Sequence, residues 1–217
     1  MTGQYIPPKE FVPDPDKRVQ KLLSKLINLY QEYFDPKHFD ENEKKIIDQS
    51  DIPKIKAKLL NLRKYEYKKL NNAELSFEVV FDCEDSRKMQ ETIKRCFWIN
   101  LFNYKILMKI LEVLIAKPKV LNDFLTNCTM FENLMCSVRV RIQGHLISCY
   151  EIFRTMLKHD RLLGGCLEEP VRTLEEMPPE LQELAVSEVH PYSSFGIFLP
   201  IKKWSAFNVY EKEIFDS

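Results

Sequence analysis

The chain predicts an α+β fold: a predominantly helical single domain with a small sheet, plus an N-terminal extended arm and amphipathic helix. Three observations carry this. Cys96 to Leu111 is the most apolar and aromatic run in the 217 residues, with the continuous apolar character of a buried helix. Ser137-Val138-Arg139-Val140-Arg141-Ile142 alternates strictly and ends at Gln143-Gly144, which reads as a strand entering a turn. Gly is scarce, at five residues, which argues against a many-turned all-β protein. A hydrophobic share of 45% is enough for a real core.

In chain order, residues 1–16 form the arm, 17–70 a set of N-terminal helices and 71–217 the globular domain. Pro7, Pro8, Pro13 and Pro15 keep the arm extended, while Tyr5, Ile6, Phe11 and Val12 give it apolar side chains to lay on a surface. Asp16 is placed to cap a helix from Lys17 to Phe34. Val19, Leu22, Leu26, Leu29 and Tyr33 fall on one stripe of it. That stripe either packs on its own domain or docks on another protein. Leu22, Leu26 and Leu29 therefore join Tyr5, Ile6, Phe11 and Val12 as candidate partner-binding residues.

A short helix is expected at Asp40 to Ile47, then another from Lys54 to about Leu70, opened by Pro53 and carrying Ile55, Leu59, Leu62 and Tyr65 on one side. Its Lys residues read as a solvated face. Leu75 to Phe81 alternates like a strand, and Ser86 to Arg95 leads helically into the apolar run, which Pro118 closes. Val120 to Phe131 reads as a helix, and Ser148 with Glu151 forms a capping box for a helix from Cys149 to Lys158. Pro178-Pro179-Glu180 opens a short helix through about Ala185. Ile197 to Leu199 reads as a strand, and Ser205 caps a last helix from Ala206 to Ile214.

Asn100 and Asn103 stand three apart among large hydrophobes, so they share one helix face. Burying an unbonded Asn costs about 1–3 kcal/mol. They read as a paired polar device that holds the Ile142–Ser148 turn or an adjacent loop, or as the remnant of a site. Ser148 and Glu151 belong to the same candidate set.

The 32 basic and 32 acidic residues balance, which speaks against nucleic acid or an anionic membrane as partner. Neither GxGxxG nor GxxxxGK[ST] occurs, and no cofactor is expected. The six Cys form no CxxC and have no His at zinc-finger spacing, so no metal is expected and free, mostly buried thiols are. The N-terminus resembles neither a signal peptide nor a transit peptide. The run Ile106 to Ala116 is broken by Lys109 and Glu112 and is too short for membrane insertion. The expectation is a cytoplasmic protein. A catalytic thiol needs a His nearby, and two pairs, Cys149 with His145 and Cys166 with His159, are candidates to meet in space. Glu168-Glu169 and Glu175-Glu176 read as solvated charge.

Phe97-Trp98-Ile99-Asn100-Leu101-Phe102-Asn103 resembles the Phe-Trp-Ile-Asn-x-Tyr-Asn helix of the family catalogued as domain of unknown function number 547. Ile142-Gln143-Gly144, Ser148-Cys149, Ile152-Phe153-Arg154, Met156-Leu157-Lys158 and Trp204-Ser205 are similar to its later segments. The resemblance spans roughly Ser86 to the C-terminus. It departs where the family carries ionisable groups: Met108 stands in place of a His, Phe153-Arg154 in place of Glu-His, and a family Cys has no counterpart. The resemblance thus implies a degenerate member that keeps the fold without the chemistry.

The resulting expectation is a non-enzymatic structural or interaction protein, a subunit of a larger cytosolic or cytoskeletal assembly, including a ciliary one, with other proteins as partners. The alternatives are a Cys/His hydrolase-like enzyme with a rearranged site, and a small-molecule binding module using Asn100 and Asn103.

Overall fold

A computed structural model describes residues 15–34, 50–66, 70, 84–116, 128–158 and 171–189. These form α1 (Pro15–Phe34), α2 (Ile52–Glu66), α3 (Glu84–Ala116), α4 (Cys128–Ser137), β1 (Arg139–Ile142), β2 (His145–Ser148), α5 (Cys149–Glu151) and α6 (Pro179–Gln182). A π-helical turn, Ile152–Met156, continues α5 directly. The architecture is the expected helical α+β domain with a small antiparallel sheet. The arm with Tyr5, Ile6, Phe11 and Val12 lies outside the described residues. So do the helices expected at 40–47 and 206–214, the strands at 75–81 and 197–199, and the Cys166–His159 pair.

The centre is α3, 33 residues and so about 50 Å long. From Cys96 to Tyr104 every residue is buried. A helix apolar all round must be covered all round, and this one is. α1 lies along it. α2 ties to it through Lys105 Nζ on Glu66 Oε1 at 2.9 Å. Phe102 meets Phe153 of the π-turn with ring centroids 6.3 Å apart. The segment 171–189 covers the remaining side: Trp98 Nε1 donates to the Leu184 carbonyl at 2.7 Å, and Lys94 Nζ to the Ala185 carbonyl at 3.3 Å.

Leu22 and Leu26 are fully buried and Leu29 is 4% exposed, in one core with Phe97, Trp98 and Phe102. The expectation that these three leucines meet a partner is therefore corrected. A stripe of this kind is satisfied by the nearest apolar surface, and α3 supplies it. Ile55, Leu59 and Leu62 of α2 join the same core, so packing does not break at residue 70. α1 also begins before Lys17, with Asp16 inside its first turn rather than ahead of it as a cap.

α4 continues past Phe131 to Ser137, because Phe131, Leu134 and Met135 share a buried face. The alternating segment is β1, with Val140 and Ile142 inward and Arg139 and Arg141 outward. It has a return strand that its sequence hides, β2, in register Arg139↔Ser148 to Ile142↔His145. Gln143 at φ 48° and Gly144 at φ 88° make the two-residue left-handed turn that matches strand twist.

Candidate functional site

Asn100 and Asn103 are buried to 0% and 1% exposure. Asn100 Nδ2 donates to Asp16 Oδ1 at 3.2 Å, and Gln20 Nε2 donates to Asp16 Oδ2 at 2.7 Å. The expectation is that at least one of the two bonds the Ile142–Ser148 turn or an adjacent loop; the Asn100 Nδ2 bond reaches a carboxylate of α1, 84 residues away. Asp16 sits at the positive end of its helix, where a carboxylate is favoured. The result is a polar clamp between α1 and α3 within an apolar layer.

The second polar cluster is built on the capping box. Ser148 Oγ accepts from Glu151 N at 3.1 Å, while Ser148 N donates to Glu151 Oε2 at 2.7 Å and Ser148 Oγ donates to that oxygen at 2.9 Å. Arg172 Nε donates to the other oxygen, Oε1, at 2.5 Å, and Arg172 Nη2 to the Leu146 carbonyl at 2.8 Å. Burial is the largest influence on Glu151 and opposes its charge. Hydrogen bonds from Arg172 and from the Ser148 N–H and hydroxyl together outweigh it and hold the carboxyl below its ordinary pKa. Arg172 is in turn raised, first by its bond to Glu151. Thr155 Oγ1 also donates to the Arg172 carbonyl at 2.9 Å. This cluster ties the hairpin, the π-turn and the segment 171–189 together.

Beside it lies a cleft of about 350 Å³ lined by Cys136, Arg139, Leu146, Ser148, Glu151, Val171 and Arg172. A general base needs a free lone pair and a nucleophile needs a base within reach. Here three of the roughly four acceptor positions of the Glu151 carboxylate are taken by its own chain, and the Ser148 hydroxyl both donates and accepts within the box. Cys149 is buried, and desolvation pushes its thiol up to about 12, with the Lys105 charge pulling it down and Glu66 adding to the rise. His145 Nε2 lies 3.9 Å from Glu180 Oε2, and no hydrogen bond joins His145 to Cys149. Tyr104 is raised as well, first by burial and then by the charge of Glu66. The positions that depart from the family pattern are apolar and buried at Met108 and Phe153, and exposed at Arg154.

Sequence reasoning placed Asn100, Asn103, Ser148 and Glu151 in buried polar roles. It missed the bond of Asp16 to Asn100 and the part of Arg172, which complete the clusters, and the Trp98 bond to Leu184. Arg172 follows Pro170-Val171 with no motif around it, and a partner 21 residues distant leaves no periodic trace. No family model, curated protein or solved structure matches the chain. Among the described residues no helix is long and apolar enough to cross a membrane.

Proposed function

We propose that this chain is a non-enzymatic structural or interaction protein, a divergent relative of the unknown-function family, acting as a subunit of a larger cytosolic or cytoskeletal assembly. The observation that supports this most is the Glu151 carboxylate, whose two oxygens are both committed to donors from its own chain. Cys149, two residues before it, is held as a neutral thiol. Groups spent on internal bonds hold a surface in shape; they are not poised to exchange protons with a substrate. Among the described residues, the thiol best placed for the enzyme reading is Cys136, half-buried in the cleft beside Arg139 and Arg172.

The arm remains the proposed contact with partners through Tyr5, Ile6, Phe11 and Val12. Deleting residues 1–14 leaves Asp16 on Asn100. The truncated protein, recovered from native cells at its normal level, should keep its melting temperature and lose the stoichiometric partners that the full chain brings down. A fall in melting temperature with partners retained makes the arm an internal strap. A full chain that runs alone, with Cys136 alkylating faster than a free-thiol standard, favours the enzyme.

A further inference from the structure

Charge is neutral over the whole sequence, yet it is sorted by place. α1 and α2 carry nine Lys and Arg against three acids, and two of those acids, Asp16 and Glu66, are buried. Lys17, Lys21 and Lys25 are exposed at steps of four, a row about 6 Å apart on the side of α1 turned from its leucines. α2 runs alongside in the opposite sense, with Lys25 Nζ 5.5 Å from the Tyr65 ring centre and Lys58 paired to Glu32 at 2.8 Å. Its own exposed row is Lys56, Leu60 and Lys64, again at steps of four. Lys21, Lys56 and Lys64 have no ion-pair partner among the described residues.

The segment 171–189 is the converse. It carries five Glu against one Arg, and that residue, Arg172, is spent on Glu151. Glu183 and Glu188 are exposed with no ion-pair partner among the described residues, and Glu180 is exposed with His145 at 3.9 Å. Each face also holds an exposed aliphatic side chain. Leu60, 53% exposed, stands between Lys56 and Lys64, and Val189, 50% exposed, follows Glu188. The two faces point different ways. α1 is held through Asp16 on Asn100 and the acidic segment through Leu184 on Trp98. Two residues apart on α3 is about 200° around it.

We infer that the basic α1–α2 face of one copy docks the acidic 180–189 face of a second copy. The chain carries both halves of the contact: unpaired cations around a leucine, and unpaired carboxylates beside a valine. Single exposed ion pairs contribute little, so the contact depends on the rows and the aliphatic side chains together. Because two different faces meet, it is head-to-tail and does not close as a two-fold dimer; copies add in a row. This rests on the interaction reading above and makes the chain one of its own partners.

The test is sedimentation velocity of the full chain over a range of concentrations, in about 20 mM and about 0.5 M salt. Species larger than a dimer are expected at about 0.1 mM protein in low salt, with association at least about tenfold weaker in high salt. Two paired variants reverse one face each: Lys21→Glu with Lys64→Glu, and Glu183→Lys with Glu188→Lys. Each alone should be monomeric, and an equimolar mixture should associate again, because an intact basic face then meets an intact acidic one. Circular dichroism and melting temperature establish that both variants are folded. A chain that stays monomeric in low salt overturns the inference. So does association indifferent to both variants, a mixture that stays monomeric, or a dimer as the largest species. A monomeric chain that sediments with phosphatidylserine vesicles or a DNA duplex also overturns it, and gives the basic face to a polyanion. If the chain is monomeric yet still recovers stoichiometric partners from native cells, the self-contact falls and the interaction reading stands.

Discussion

At Asn100 a buried amide meets a buried carboxylate, and removing either leaves the other short of a partner. Asn100→Leu should cost about 1–3 kcal/mol, because Asp16 Oδ1 stays buried without that donor. Adding Asp16→Leu should cost less than a second full increment, since an apolar pair of similar shape removes both ends of that bond. A double-mutant cycle by urea unfolding measures that coupling, and strict additivity would sink the clamp. Glu151 gives a pH signature. Its folded pKa lies below the ordinary 4.5. Its contribution is therefore complete above that value and is lost as pH falls through the depressed folded pKa. Lowering the pH from about 5 to about 3 should reduce the melting temperature of the unsubstituted protein more steeply than that of Glu151→Gln. Because Arg172 is 39% exposed, solvent weakens its charge, and the difference should be modest.

Among the elements, α1 is the clearest case of a helix whose pattern was readable and whose destination was not. Val19, Leu22, Leu26 and Leu29 announce one apolar stripe, but a stripe carries no address, and the same spacing serves a partner or a neighbouring helix equally. What decides is α3, whose Phe97 to Phe102 stretch needs cover on every side. Leu26→Ala should thus cost about 2–5 kcal/mol of folding stability, read by denaturant midpoint, as a core truncation does. A shift of only a few tenths would return Leu26 to the surface. The capping box was legible because Ser148 and Glu151 are three residues apart and satisfy each other locally. β2 was not, because His145-Leu146-Ile147-Ser148 lacks alternation and only Leu146 is exposed on it. The Gln143-Gly144 turn was half-legible, since Gly marks a turn while Gln rarely adopts positive φ. Gly144→Ala should destabilise by about 1–2 kcal/mol, through φ alone, as no heavy atom lies within 4 Å of the added methyl.

For the whole molecule, Cys149 is a built-in reporter of opening. It is fully buried, and its thiol pKa of about 12 keeps it protonated at neutral pH. Its alkylation should therefore track the population of open chains rather than any local breathing. Leu26→Ala should accelerate that labelling by roughly 30-fold or more, in proportion to the stability lost. Labelling that is fast in the unsubstituted protein and indifferent to Leu26 would place Cys149 on a mobile edge. The core itself was legible as composition and as runs. The chain-wide pairings that close it, Asp16 with Asn100 and Trp98 with Leu184, were not. Single groups separated by 84 and 86 residues, the second a backbone carbonyl, share no period that a sequence could display.

The Trp98–Leu184 bond has a consequence for how the protein is made. During synthesis at roughly 5–20 residues per second, the 86 residues between the indole and its carbonyl take about 4–17 s to appear. Once Ala116 has been added, α3 is complete for the rest of that interval and α1 can cover one side, while the side awaiting residues 171–189 stays bare. A nascent chain halted before Leu184 would present that indole to solvent and be a natural client for a ribosome-associated chaperone. One extended past Val189 would let go.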